Sequence, residues 1–491
     1  MNAYKKLLMM KHILRISGCL LILAAFMPVG AEAAEATSNK KPNLVFVLTD
    51  QWRASAFGYA GDPNVKTPQI DKLAAQSVRF TNAVSVCPVC TPYRAALMTG
   101  RFPTTTGMFL NDLYLPESEL CMGEIFQSQG YDTAYIGKWH LDGHGRESFI
   151  PPPRRQGFDY WKVAECTHDY NHSHYYSGDS PEMIFWDGYD AYAQTKDAQS
   201  YLQDHAKSEK PFLLFVGFGP PHFPHDSAPD DLKKLYPAEN LLLPPNVATQ
   251  RKATALRELV GYYAHCTALD QCVGDLLLTL EETGLAETTV VVFTSDHGEM
   301  MGAHDVAPLQ KQWPFDEAAH VPLLLRYPGS EARDVATPIT TTDILPTLLG
   351  LVGIPVPTTV EGEDLTPILK AGGAGPDRAV LVMSVSPFTD ELPEYRGIRT
   401  SRYTYVRNVS EPWLMFDNQN DPCQMRNLLN EPEHAELQKQ LDGDLQAHLK
   451  TIGDEFQPRE YYLDKWGYQI APHGSISYTP GTPPQSPKPM Q

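Results

Sequence analysis

Beyond its first thirty or so residues the 491-residue chain has no apolar run long enough to cross a bilayer, which takes roughly 20 residues. No membrane span is therefore expected in the mature protein. Positive charge is also scarce: 40 Lys and Arg stand against 59 Asp and Glu, a formal net charge of −19. That balance lacks the basic footprint of a nucleic-acid binder, so no nucleic-acid partner is expected. It offers no general attraction for a polyanion either. Any recognition of sulfate or phosphate has to come from a local cluster of cations and a metal. There is no internal repeat, and no Cys/His spacing fits a zinc template. What is present is ordinary globular composition, 42% hydrophobic and 20% charged, in a chain long enough for one large domain and a smaller one.

The single long apolar run lies near the start. Lys5, Lys6, Lys11 and Arg15 lead into an apolar stretch from Ile16 to about Met27, and Ala31-Glu32-Ala33 follows as an A-x-A cleavage site. Residues 1–33 are expected to be a secretory signal that sends the protein to the periplasm or the medium. Cys19 leaves with it. Cys87, Cys90, Cys121, Cys166, Cys266, Cys272 and Cys423 remain. An exported location permits disulfides without showing them. Cys266 and Cys272 fall in one expected helix, about 9 Å apart along its axis from the rise per residue, too far to bridge.

Four separate apolar runs read as buried strands. NLVFVL from Asn43 leads to Asp50 and Gln51, and TAYIG from Thr133 leads to Lys138-Trp139-His140. FLLFVGFG from Phe212 leads to His222, and TVVVFT from Thr289 leads to Asp296 and His297. In an open α/β sheet ligands bind beyond the carboxyl ends of the strands. Four polar residue sets delivered to one such edge describe one site. Between the strands, Arg251–Glu282 has the periodicity of one long helix closed by Gly284.

The segment Cys90-Thr91-Pro92-Tyr93-Arg94 reads as a helix start. Pro92 suits the first turn, Ala95 to Met98 continue it, and Gly100 stops it. A residue at such a mouth faces backbone N–H groups that favour an anion. Cys87-Pro-Val-Cys90 also has the spacing of a redox C-x-x-C pair. However, C-x-P-x-R followed by A-x-x-x-T-G-R is the signature of the type I sulfatases, and CTPYRAALMTGR resembles it throughout.

That resemblance covers roughly residues 42 to 430. It implies an α/β, alkaline phosphatase-like fold: a large mixed, mostly parallel sheet flanked by helices, with a small C-terminal α+β subdomain. The catalytic domain is expected over 34–375, and the subdomain and tail over 376–491, beyond the Gly-rich stretch near Ala371. The family oxidises the matching cysteine to Cα-formylglycine, which requires a formylglycine-generating or sulfatase-maturing enzyme as a partner during biosynthesis. Carried over, Cys90 becomes the nucleophile and Arg94 stabilises it. Lys138 and Lys311 hold the sulfate, His140 sits on the formylglycine hydroxyl, and His222 assists the leaving group. Asp50, Gln51, Asp296 and His297 match the metal ligands. The family has a second acid where this chain has Gln51, so the site loses one negative charge. An oxygen-rich set of this kind suits Ca²⁺, with Mg²⁺ as the alternative.

The resemblance implies a sulfuric ester hydrolase. The expected export, the acidic balance and a loop rich in His, Asp, Asn and Tyr fit a sulfated mono-, oligo- or polysaccharide as substrate, with a galactose or N-acetylgalactosamine sulfate as the expected class. A phosphonate or phosphate monoester hydrolase of the same superfamily is the rival enzyme. A non-catalytic glycan-binding relative is the third reading. The segment ECTHDYNHSHYYSGD carries His168, Asp169, Asn171 and His172. It reads either as the polar wall of a sugar pocket or as a plain surface loop.

Overall fold

A computed structural model describes residues 41–472, 474–476 and 484–487. The expected secretory signal lies outside the described residues. In chain order the strands are β1 (Asn43–Asp50), β2 (Val78–Phe80), β3 (Ala83–Val84), β4 (Asp132–Lys138), β5 (Tyr160–Ala164), β6 (His174–Ser177), β7 (Ile184–Phe185) and β8 (Phe212–Pro221). They continue with β9 (Thr289–Ser295), β10 (Leu323–Arg326), β11 (Arg333–Val335), β12 (Ile339–Thr340), β13 (Val380–Ser384), β14 (Tyr395–Arg399), β15 (Tyr403–Asn408) and β16 (Pro412–Asp417).

Among the described residues ten strands form one sheet, in the order β11-β2-β10-β9-β1-β8-β4-β5-β6-β7. Its centre, β9-β1-β8-β4-β5, is parallel throughout, while β10 and β6 run antiparallel to it. The four strands read from sequence are therefore immediate neighbours with their carboxyl ends at one edge. Along β1 the pleat sorts side chains between two layers: Leu44, Phe46 and Leu48 join one apolar cluster, Val45 and Val47 the other. A strand buried on both faces has to read as a continuous apolar run, and β1 does.

Helices cover both faces. On one lies the fully buried Cys90–Thr99 helix, packed against the Thr341–Val352 helix. On the other lies the long Lys252–Glu282 helix, packed against Asp190–His205. Gly100 closes the Cys90 helix with φ 67°, the left-handed C-cap that glycine adopts freely. Beyond the Gly-rich stretch near Ala371, β13 to β16 form an antiparallel sheet with the Ala435–Thr451 helix against it. This is the mostly parallel α/β architecture with a small C-terminal α+β part that the resemblance implied. From Lys41 onward the chain clusters as one compact unit. No helix of the described residues is long and apolar enough to cross a membrane.

The structure differs from the sequence reading in ECTHDYNHSHYYSGD. That segment reads as a loop, yet β6 lies within it, and β5 and β7 on either side extend the sheet further. These strands are short and their burial alternates, so they lack the continuous apolar run that marked the central strands. The edge strand β16 likewise escaped the sequence pattern.

Candidate active site

The carboxyl edge of β9-β1-β8-β4 opens into a cavity of about 460 Å³ lined by Cys90, Lys138, His140, His168, His222 and Lys311. A larger cavity, about 660 Å³, is lined by Arg53, Asp316, Glu317 and Arg399 and contains none of the expected catalytic residues.

Cys90 is the first residue of its helix and is buried. Its Sγ lies 3.3 Å from Lys311 Nζ, 3.3 Å from His297 Nε2 and 3.6 Å from Asp50 Oδ1. Burial and Asp50 push the thiol up, but Lys138, Lys311 and His297 outweigh them and hold it well below the usual range. The position is electropositive, as an anion site needs. All seven described cysteines, Cys87 and Cys90 among them, are free thiols.

Asp50 divides its two oxygens between two tasks. Oδ2 accepts from Lys138 Nζ at 2.7 Å and from Arg94 Nη2 at 3.1 Å, while Oδ1 faces Cys90 and His297. Burial raises the Asp50 carboxyl, yet Lys138 and Arg94 beside it bring it well below the ordinary carboxylate range. Arg94 also donates to the Lys138 carbonyl at 2.8 Å. It thus ties Asp50 to the end of β4, and no Arg94–Cys90 hydrogen bond forms among the described residues. Asp296 lies beside Asp50, and burial together with that neighbour pushes it up to about 7. Its Oδ1 accepts from the backbone N–H of Gln51 and of His297, while the buried Oδ2 has no hydrogen-bond partner.

Two contacts aim the remaining donors at the same point. His297 Nδ1–H donates to the Gly298 carbonyl at 3.0 Å, which turns Nε2 toward Cys90 and the two carboxylates. Gln51 donates its amide N–H to Glu299 Oε2, so its Oε1 turns inward, 3.4 Å from Lys311 Nζ. Asp50, Cys90, Asp296 and His297 each offer a ligand atom within 4.8 Å of the others. Asp296 Oδ2, which lies 3.6 Å from Arg94 Nη2 and makes no hydrogen bond, adds a free lone pair to this donor set, and the set fits a divalent cation. Glu299, which the sequence places just after the expected ligands Asp296 and His297, stands directly behind Gln51 and holds its amide.

On the opposite wall, Lys138 and His140 both line the cavity, but not by simple strand alternation. β4 ends at Lys138, and His140 adopts a left-handed backbone with φ 60°. The carbonyls of Ala164 and Glu165, at the end of β5, hold Trp139 N and His140 N at 3.0 and 2.7 Å. Gly137, one residue earlier, has φ 103°, and a Cβ there would lie 2.1 Å from the Gly217 carbonyl oxygen, so the G-K-W-H turn requires glycine. His222 donates Nδ1–H to the Phe223 carbonyl at 2.7 Å and accepts from Lys311 Nζ at Nε2, 3.0 Å away. Burial, Lys311 and His168 together push its pKa well below the ordinary histidine value, so it is neutral.

The loop read as a sugar-pocket wall contributes one residue. His168 stacks on His222 at 4.4 Å between ring centroids and lines the cavity. Asp169, Asn171 and His172 do not line it: Asn171 donates to the Ser227 carbonyl at 2.8 Å, and His172 stacks on Phe185 at 4.2 Å. The chain turns away after His168 to enter β6, which carries those three outward. The wall is completed from positions that sequence spacing did not mark, among them Asp112, Arg146, Phe388 and Ser475.

The comparisons with known proteins agree with this geometry. The family model "Sulfatase" matches residues 42–354, and the model "N-sulphoglucosamine sulphohydrolase, C-terminal" matches 304–451. An ulvan-active sulfatase of Formosa agariphila is 55% identical over 87% of this chain and 85% of its own length. An endo-4-O-sulfatase of Bacteroides thetaiotaomicron is 31% identical over 91% of this chain and 99% of its own. A solved Bacteroides fragilis sulfatase superposes with a TM-score of 0.79 at 30% identity, over 88% of this chain and 100% of that one. The chain belongs to the sulfatase family and is a sulfuric ester hydrolase that removes sulfate from carbohydrate.

Proposed function

We propose that this sulfatase acts on an ulvan-type sulfated polysaccharide, with Cys90 as the residue converted to formylglycine and Asp50, Gln51, Asp296 and His297 as holders of Ca²⁺, Mg²⁺ being the alternative. The carrying observation is the position of Cys90 Sγ, 3.3 Å from Lys311 Nζ and 3.3 Å from the inward Nε2 of His297. The sulfur stands where an anion-binding lysine meets the cluster of metal donors. The substrate class rests on the 55% identity to the ulvan-active enzyme. The expected export of the chain, with residues 1–33 as its signal, suits a polysaccharide substrate.

A converted residue 90 supplies an oxygen nucleophile, and a divalent cation supplies charge neutralisation for it and for the ester. The protein's own groups do the rest. Lys138 and Lys311 hold the sulfate oxygens where charge builds up in the transition state. Asp50 outweighs burial and keeps Lys138 protonated. Lys311 Nζ, hydrogen-bonded to neutral His222, holds the proton that the departing sugar oxygen needs, and His222 Nε2 steers it. His140 takes the remaining hydroxyl proton at position 90. Arg94 keeps Asp50 and the Lys138 backbone in register with Cys90.

Peptide mass spectrometry across Cys90, on protein made with a maturing enzyme, tests the nucleophile: conversion lowers the mass by about 18 Da. Sulfate release from ulvan oligosaccharides, measured beside a sulfated galactan and a phosphonate monoester, tests the substrate. A Cys87–Cys90 disulfide in that protein would overturn the nucleophile assignment. Preference for the galactan or the phosphonate would overturn the substrate class.

A further inference from the structure

Asp112 is buried in the cavity wall, and no sequence motif marks it. Its Oδ1 lies 2.7 Å from His140 Nε2. A carboxylate only accepts, so Nε2 carries the hydrogen. Nδ1 is then the ring nitrogen left for the cavity that His140 shares with Cys90, and it is buried with no hydrogen-bond partner. The pair is held on every side. Arg146 donates to both Asp112 oxygens at 3.2 and 3.1 Å. Thr91, the residue after Cys90, clamps both partners: its Oγ1 donates to the His140 carbonyl at 3.0 Å and accepts from Asp112 N at 3.2 Å. Asn111 Oδ1 in turn accepts from Thr91 N at 2.9 Å. Asp112 and His140 both sit in the left-handed region, with φ 68° and 60°. Two neighbouring non-glycine residues in that sparsely populated conformation persist only where the surroundings over-determine them.

We propose that Asp112 is a positioning residue for the sulfatase reaction: it fixes His140 in the tautomer that carries hydrogen on Nε2, so that Nδ1 is presented to residue 90. Thr91 ties this pair to the helix that carries the nucleophile, so imidazole and nucleophile move as one body. The arrangement follows the logic of the carboxylate in a Ser-His-Asp triad, where the acid sets tautomer and orientation without itself taking the proton. The inference rests on the reading of residue 90 as the nucleophile and of His140 as its proton acceptor.

The first test does not depend on conversion of Cys90. Long-range proton–nitrogen NMR of the unconverted, ¹⁵N-histidine-labelled protein reports which ring nitrogen of His140 is protonated, with His140→Gln assigning the signal. A proton on Nε2 that Asp112→Asn displaces is the expected result. A parent protein with no proton on Nε2 overturns the proposal, whether or not any variant folds. Kinetics of the converted enzyme form the second test. Asp112→Asn is expected to lower kcat by about 10²-fold or more with KM changed by less than about threefold, and Asp112→Glu to recover part of the loss. An Asp112→Asn enzyme with parental kcat, or one that loses only KM, overturns the proposal. Peptide mass at Cys90 in the same preparations reports conversion separately, so a failed nucleophile assignment and a failed Asp112 assignment give different patterns.

Discussion

Replacing Gln51 by Glu should turn a buried hydrogen bond into a buried repulsion, and the size of the effect follows from the structure. Gln51 is 0% exposed and donates its amide N–H to Glu299, also 0% exposed. In Gln51→Glu that donor becomes a second carboxylate oxygen. Two unit charges about 4 Å apart at an effective dielectric of 20 repel by about 4 kcal/mol. The protein can escape by binding a proton between the two acids. From a free Glu value near 4.3 that costs about 4 kcal/mol at pH 7 but only about 1 kcal/mol at pH 5. The chelated variant should therefore lose about 4 kcal/mol of unfolding free energy at pH 7, a large share of an ordinary domain's stability, and about 1 kcal/mol at pH 5. Saturating Ca²⁺ should restore most of the loss, because the extra charge then faces the cation. The double variant Gln51→Glu/Glu299→Gln, which swaps the pair, should be close to the parent in EDTA. Urea unfolding of all three proteins at both pH values, with and without Ca²⁺, decides it. An equal deficit at pH 5 and pH 7, or a double variant no better than the single one, would refute the claim that Glu299 carries the charge missing at position 51.

Cys90→Ala should abolish sulfate release while leaving the thermal midpoint within a few degrees of the parent, and turnover above background would contradict the role given to Cys90. His265 is buried, and burial with His225 beside it pushes its pKa down to about 3. A free histidine near 6.5 takes up a proton that the folded site refuses. Stability is thus whole above about pH 6.5 and falls as pH drops toward about 3, by about 2 kcal/mol at pH 5. Urea midpoints at pH 7.5 and 5.0 should show that drop in the parent and a flatter response in His265→Gln; parallel responses would exclude His265 as the cause. In the C-terminal part, Arg396 is buried and pairs with Asp454 while lying over Phe456 and Tyr462. Asp454→Ala leaves that guanidinium unpaired and should cost about 3–5 kcal/mol. Asp417→Ala, which frees the far more exposed Arg402, should cost much less, because an exposed pair is screened by water, and similar losses for the two would show that burial does not set the difference.

The sequence alone determined the central strands and most of the chemistry they deliver. β1, β4, β8 and β9 are buried on both faces, so they had to be written as continuous apolar runs, and the residues after them had to be the polar ones. The helix behind Cys90 was legible for a related reason: Pro92 and Gly100 punctuate its ends by backbone geometry, independent of what packs around it. Tertiary structure decided the rest. Nothing local tells Asp112 that it will meet His140, 28 residues later, or Glu299 that it will hold the Gln51 amide. Those contacts exist because β1, β4 and β9 end at one sheet edge, which brings distant loops within hydrogen-bonding reach. The same cause separated His168 from Asp169, Asn171 and His172: adjacency in sequence put them in one motif, but the turn into β6 left one facing the cavity and carried three away. Apolar periodicity is written along the chain because burial acts on each residue, whereas a polar contact is a property of two places. The sequence names the first place and only the fold supplies the second.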